Sequence, residues 1–443
     1  MHRRTTDIEG ACRLVRSFCA TTLAAGLLFA LALDGPGASP AIAQDWIQFG
    51  PTGVPPGGTT NSYDPDFIRE WEANPPKGFA TLSKANVEAT KQAIKRYEAI
   101  VAGGGWLFVP EPARKTPRDQ LLQYGINSPE VSVLRARLMA SGELPAGGTS
   151  TSFDASVDKA LKRFQATNGL TPTGIADLRT VLALNVPAEA RLKQLKVNLA
   201  RLQQGVGTTS KKYVLVNIPA AQIETVENGA IVGRYAGVVG KPDRPTPMLN
   251  TPITDLNFNP VWRLPPTVVS EDLIPRGREM QSKGQNVLEK FKIDAYAGGK
   301  KVEPSQIDWQ KVTPGTYSYS QQPGKENPLG FLKINFNSAQ SVYMHDTPSD
   351  RIFGRNFRSA SSGCIRVHNI ENLAQWLLKE QKGWDSERIT YMKTSGRRLD
   401  LRLKKPVPLL FVYISAWATP DGVVQFRRDI YQKDGIGEVA SNY

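Results

Sequence analysis

The stretch 341-SVYMHDTPSDRIFGRNFRSASSGCIRVH-368 holds Cys364 and two of the chain's three histidines, His345 and His368. The other cysteines, Cys12 and Cys19, lie with His2 in the first 20 residues. That N-terminus has the layout of a secretory signal. Arg3, Arg4, Arg13 and Arg16 precede or flank an apolar run from Ala20 to Leu33, followed by Ala41-Ile42-Ala43 as a small-residue cleavage site. As a helix the run reaches about two-thirds of the way across a bilayer core. A cleaved signal over 1–43 is therefore expected, in preference to an uncleaved inner-membrane anchor. Its removal leaves one thiol and two imidazoles, all within 341–368. A lone thiol forms no internal disulfide, and in a Ser/Gly/Arg-rich segment it reads as a nucleophile and not as a small buried apolar residue.

The neighbours of Cys364 supply what thiol chemistry needs. A free thiol titrates at about 8.5 and is mostly protonated at neutral pH. His345, at the end of an expected strand and 19 residues before Cys364, is placed to take that proton. Gly363 allows a tight backbone turn, so that the Gly363 and Cys364 amides point at a tetrahedral oxyanion, worth about 3 kcal/mol per donor. Arg366 suits a bidentate grip on a substrate carboxylate, and Arg355 and Arg358 add positive charge. One Cys, two His and Asp346 offer metal ligands, but no CxxC or HxxxH spacing is present, and neither metal nor organic cofactor is expected. His368 precedes Asn369, read as the N-cap of a helix with Ile370, Leu373, Ala374, Leu377 and Leu378 on one face, and is assigned to local structure.

At 443 residues the chain accommodates two or three cores. Residues 44–66 are rich in Gly, Pro, Thr and Ser and read as an extended lead-in. From Ser83 as N-cap, Val87, Ile94, Tyr97 and Val101 trace a helix ending at Gly103-Gly104-Gly105. Residues 127–185 read as three helices, opened by Ser128-Pro129, by Asp154, and near Leu178. Another helix, 187–204, carries Leu192, Leu195, Leu199 and Leu202 and is expected to return to the first. The small unit is thus inserted into a helical scaffold spanning 44–126 and 186–210. After residue 210 the apolar period changes to two. Hairpins are expected around Asn228-Gly229, around Asn337-Ser338, and between 409–416 and 423–426 across Pro420-Asp421-Gly422. Residues 264–313 interrupt the β pattern and are too long for an ordinary loop, as lids and binding insertions are. The fold class is multidomain α+β. The net charge of +14 fits an exported protein meeting an anionic surface such as a carboxylate-rich wall; nucleic acid is not an expected partner.

The run Val157…Phe164-Gln165…Gly169-Leu170…Thr173-Gly174-Ile175 resembles a three-helix peptidoglycan-binding module. The signature H-D-T-P…S-S-G-C-I-R-V resembles the active site of the YkuD-type L,D-transpeptidases, in their large periplasmic, YcbB-like branch. Supporting matches are Gly240-Lys241-Pro242-Asp243-Arg244-Pro245-Thr246-Pro247, Asn259-Pro260-Val261-Trp262 and Asp429-Ile430-Tyr431, within 211–435. The resemblance implies a β-rich catalytic domain with 264–313 as its capping insertion. Cys364 attacks a tetrapeptide stem, D-Ala leaves, and an amine of a neighbouring stem resolves the thioester into a 3→3 cross-link. His345 is the base, and Ser361 or Ser362 orients the imidazole or the substrate. Arg366, Arg358, Asp346 and Trp262 are the positions assigned to substrate. Peptidoglycan stems are the partners, with periplasmic cell-wall enzymes supplying donors. Water as acceptor (a carboxypeptidase or peptidase), an outer-membrane protein or a free D-amino acid remain open. Papain-like peptidases place Cys before His, whereas here His345 comes first.

Overall fold

The computed structural model describes residues 80–148, 150–348, 350–441 and 443. The signal read over 1–43 and the lead-in over 44–66 lie outside them. Among the described residues no helix is long and apolar enough to cross a membrane.

Ser83 caps α1 (Lys84–Ala102), its side chain accepting from the Asn86 amide. The three-helix unit follows as α2 (Pro129–Ser141), α3 (Ala155–Thr167) and α4 (Leu178–Leu184). Asp154 caps α3 and Asp177 caps α4. Val131, Leu134, Leu138, Val157, Leu161 and Phe164 meet at its centre, but so do Val109, Ala440 and Tyr443. The unit is therefore closed by chain from both outside its span and the far C-terminal segment. The return helix α5 (Ala188–Val206) packs on α1: Leu202 shares a cluster with Val87, and Leu195 with Ile94 and Tyr97. These two helices do not stand apart from the second half. The same clusters include Tyr213, Leu215, Leu410, Ala416 and Phe426, so the scaffold is the layer that covers one face of the main β-sheet.

That sheet starts with β1 (Lys212–Asn217), β2 (Gln222–Glu227), β3 (Ala230–Gly240) and β4 (Leu249–Phe258). The β2–β3 turn uses Asn228 and Gly229, both with positive φ (51° and 80°), as the Asn-Gly signal requires. β5 (Trp262–Arg263), β6 (Ile293–Ala297), β7 (Lys300–Val302) and β8 (Ser318–Gln321) belong to a separate small sheet in the order β5-β8-β6-β7. The main sheet resumes with β9 (Leu332–Phe336), β10 (Met344–His345), β11 (Ser359–Ser361), β12 (Ile365–Val367) and β13 (Leu399–Val412). Its order is β11-β3-β12-β10-β9-β4-β13-β1-β2, and β2 also pairs with β3, so the sheet rolls closed. β3 makes this possible by its length: residues 230–236 pair with β2, and 237–240 turn to β12 and β11.

The enclosed core gathers Val214, Val216, Ile223, Leu256, Ile334 and Ile365 with the apolar face of α8, which is Ile370, Leu373, Ala374, Leu377 and Leu378. In chain order α6 (Ile274–Ser282) and α7 (Val287–Phe291) come before α8 (Ile370–Leu378), and α9 (Ser386–Ser395) follows it. Asn369 stands at the α8 N-cap position but in the left-handed region (φ 48°), and it does not cap through its side chain.

Two expectations change. The insertion is larger than 264–313: a core of Trp262, Leu273, Met280, Phe291, Trp309 and Tyr319 makes 262–321 a small domain of its own. The hairpin across 420–422 is also rearranged. Its arms are β14 (Ala416–Ala418) and β15 (Val424–Phe426), while 409–412 belong to β13 and pair with β1 and β4. The alternating run 409–416 spans two strands because the chain bends at 413–415, where Asn217 and Asn198 accept from the Ile414 and Ser415 amides.

Candidate active site

β10 is the centre of the site. It pairs in parallel with β12, His345 opposite Arg366, and antiparallel with β9, His345 opposite Lys333. Side chains alternate along a strand, so Tyr343 and His345 share one face with Cys364 and Arg366 of the neighbouring chain. Cys364 is half-buried and diagonal to His345. The sulfur is hydrogen-bonded by both the backbone and the phenol of Tyr343. The Tyr343 ring lies 5.7 Å from the His345 ring, and the Lys333 ammonium sits 4.2 Å over its face. Trp262, buried in the core of the inserted domain, belongs to the cluster against which Tyr343 packs.

The backbone around the thiol is held from three sides. Gly363 has φ 107°, a conformation that L side chains rarely adopt. Its carbonyl accepts from Thr246 Oγ1 (2.8 Å), which itself accepts from the Gly240 amide (2.9 Å). A Cβ on Gly240 would stand 2.2 Å from the Arg244 carbonyl and 3.0 Å from Gly363 Cα, so only glycine lets these loops nest. Tyr431 donates to the Gly240 carbonyl (2.7 Å) and accepts from the Thr246 amide (3.0 Å). Arg244 grips Asp272 with two donors (2.7 and 3.2 Å), pairs with Glu271 through Nε (2.6 Å), and donates to Ser362 Oγ (3.0 Å). Glu271 and Asp272 lie in a π-helical turn, Val269–Leu273, of the inserted domain. One guanidinium thus joins that domain to the loop that carries Cys364.

Burial sets the electrostatics. It pushes the Cys364 thiol up, against the Tyr343 hydrogen bonds and the Lys333 and Arg366 charges, which pull it down. His345 is lowered to about 3 by burial and by the Arg366 and Lys333 charges. Its Nδ1 lies 2.5 Å from the Asp346 carbonyl. A carbonyl only accepts, so Nδ1 carries the proton and Nε2 is the basic nitrogen. The resting pair is neutral thiol and neutral imidazole. No hydrogen bond joins the two side chains among the described residues; a base and its proton donor commonly close to hydrogen-bond distance only in the reacting complex. Arg366 is 3% exposed, and its buried Nε has no hydrogen-bond partner among the described residues; burial and Arg355 lower it to about 10. A buried cation with an unpartnered Nε beside a thiol is a seat for an anion.

The other expected site residues fall in different places. Gly363 N–H donates to Ser361 Oγ (3.2 Å), so it is not turned to an oxyanion; the Tyr343 phenol is the donor that stands beside the sulfur instead. Ser361 Oγ also donates to the Cys364 carbonyl (2.6 Å), and Ser362 answers to Arg244; neither orients the imidazole, which the Asp346 carbonyl holds. Asp346 Oδ2 accepts from the Phe331 amide (3.0 Å) and crowds Gly330, fastening the β9–β10 hairpin; burial raises it to about 6. Arg358 donates to the carbonyls of Gly237, Ala220 and Arg355, on the side of β3 away from the thiol. The His368 ring lies tilted against Phe353, 4.8 Å between ring centres. Tyr343, Lys333, Arg244, Asp272 and Thr246 were not among the expected site residues. Alternation from His345 points to Tyr343, but Lys333 needs the β9 register and Arg244 the contact with a distant insertion.

A rolled sheet built around one thiol, joined to a small helical module, defines the class. Residues 211–398 match the family model described as "L,D-transpeptidase catalytic domain" (YkuD), and 127–184 that described as "Putative peptidoglycan binding domain". The chain carries an L,D-transpeptidase catalytic domain together with a peptidoglycan-binding domain. It is 29% identical over 221 residues to a Haemophilus influenzae protein described as "Putative L,D-transpeptidase"; the match takes in 50% of this chain and 44% of that one, less than half its length. Solved L,D-transpeptidases from Xylanimonas cellulosilytica (15% identity, 67% of this chain and 100% of that one, TM-score 0.22) and Stackebrandtia nassauensis (12%, 66% and 94%, TM-score 0.25) are also similar, at scores too low to carry an argument.

Proposed function

We propose that the chain is an exported, periplasmic L,D-transpeptidase of the large YcbB-like branch that forms 3→3 cross-links between peptidoglycan stems. Cys364 Sγ attacks the carbonyl that joins the diamino acid to D-Ala, while His345 Nε2 takes the thiol proton. The C–N bond breaks, the proton passes to the departing D-Ala amine, and a thioester remains on Cys364. The side-chain amine of a second stem then attacks that thioester, loses a proton to His345, and restores the thiol. The Tyr343 phenol, which hydrogen-bonds the sulfur, is the donor assigned to the developing oxyanion.

The observation that carries this reading is Arg366, buried with its Nε unpartnered, two residues from the thiol and on its face. It fits a stem carboxylate and nothing the described chain supplies. The test is intact-protein mass spectrometry of the purified chain with a free tetrapeptide stem. The reading expects an adduct equal to the peptide less D-Ala, absent in Cys364→Ala. An adduct that persists in that variant, or none in the wild-type chain, contradicts it.

A further inference from the structure

Where the small module meets the catalytic domain there is a second concavity, of about 970 Å³ counted out to its open mouth. Its walls are the turn 168–171 after α3, the β1–β2 turn and the loop 353–359; Cys364, His345 and Arg366 do not line it. The two sides are bolted together. Asn356 Oδ1 accepts from Thr171 N (2.7 Å) and Oγ1 (2.6 Å), and Arg427 Nη1 donates to the Thr167 carbonyl (2.9 Å).

Arg355, Arg427 and Arg428 line this cavity, and among the described residues its walls carry no Asp or Glu. Arg427 hydrogen-bonds only the Thr167 and Phe426 carbonyls and the Gln425 side-chain oxygen. Arg428 hydrogen-bonds the Ser441 carbonyl and lies 4.5 Å over the Phe357 ring. Arg355 is exposed and lines the cavity through the loop 353–359. Burial and like charges weaken the hold of Arg427 and Arg428 on their protons, each falling to about 10. Cations that line a cavity and are bonded to neutral oxygens keep a charge that an entering anion neutralises.

We propose that this junction cavity binds the carboxylates of an acidic peptide, namely a peptidoglycan stem other than the one at Cys364. The identity of the peptide rests on the function proposed above; the carboxylate chemistry does not. The location serves that purpose. Ser359 lines the cavity and opens β11, and the five residues from there to Cys364 span at most about 18 Å. Arg355 stands near enough to Arg366 for its charge to act there. A stem held by both the module and the catalytic domain aligns its glycan strand with the thiol.

The experiment is calorimetric binding of a free tetrapeptide stem to the full chain carrying Cys364→Ala and Arg366→Gln, which removes reaction and the active-site carboxylate seat. Binding is expected to persist, to fall about tenfold when Arg355→Gln is added, and to vanish for the peptide with its carboxylates amidated. Arg355 is exposed, so this substitution does not threaten folding; Arg428→Gln, checked by circular dichroism, is the second variant. No binding to the starting double variant, equal binding of the amidated peptide, or an affinity that neither Arg355→Gln nor Arg428→Gln changes overturns the proposal. Adduct formation by the wild-type chain is read separately, so a failure of the transpeptidase reading is not confused with a failure of the cavity.

Discussion

Cys364 rests as a neutral thiol because burial outweighs the charges and hydrogen bonds that favour thiolate. Alkylation of Cys364 by iodoacetamide, followed on its own peptide by mass spectrometry, should therefore rise with a midpoint above the ordinary thiol value of about 8.5. Tyr343→Phe, which removes one hydrogen bond to the sulfur, should move the midpoint further up. A midpoint below 7 would mean a preformed thiolate–imidazolium pair. His345 gives a second handle. Its folded value is about 3 against the ordinary 6.5, so the unfolded chain binds the proton first, and stability is lost as pH falls from 6.5 towards 3. Asp346 works the other way: raised to about 6, it lowers stability as pH climbs from 4 to 6. Thermal melts of His345→Gln should gain on the wild-type chain between pH 7 and pH 4; a constant gap would contradict the buried neutral imidazole. That Cys364, His345 and Arg366 come together was legible in the sequence, because the one stretch 341–368 holds them all. The use of Gly363, Ser361 and Arg358 was not, because donors adjacent in sequence are captured by whichever backbone acceptor the fold brings nearest.

Among the elements, the inserted domain and the nucleophile loop are coupled through Arg244, whose side chain is 8% exposed and that of Asp272 1%. Removing one partner of such a pair leaves a buried charge, at a cost of about 3–5 kcal/mol where no new partner is found. Asp272→Asn should thus slow Cys364 acylation at least tenfold while Asp243→Asn, a carboxylate outside this pair, does not; comparing adduct formation rates in the two variants decides it. Equal rates would make the contact a surface fastening. The hairpin at Asn228-Gly229, the caps Ser83, Asp154 and Asp177, and the α8 face were all readable, since local chemistry fixes them. The return of β3 to β12 and the split of 409–416 were not, because each depends on partners more than 100 residues away, and the true extent of the insertion was not, because its ends meet only where Trp262 pairs with Gln321.

At the scale of the molecule, the helical scaffold is part of the catalytic fold and not an appendage. Leu202 of α5 is fully buried against Tyr213 and Leu215 of the sheet, and Asp434 accepts from Arg201 (2.6 Å), Gln194 (3.1 Å) and Ser415 (2.5 Å) across the same boundary. Leu202→Ala should cost about 2–5 kcal/mol. The loss should appear as a lower midpoint of a single transition in the near-ultraviolet circular dichroism of the whole chain; a separate early transition would mean that the scaffold unfolds alone. From Asp429 the order continues through Tyr413 (2.7 Å), Tyr431 (2.8 Å) and Thr246 to the Gly363 carbonyl, which gives the Asp429-Ile430-Tyr431 motif its place in the fold. Function finally turns on what the thiol does to a sacculus. Mass spectrometry of muropeptides from cells expressing the wild-type chain or Cys364→Ala tests this most directly. The account predicts 3→3 dimers with the wild-type chain and none with the variant; equal amounts of those dimers in both would contradict it.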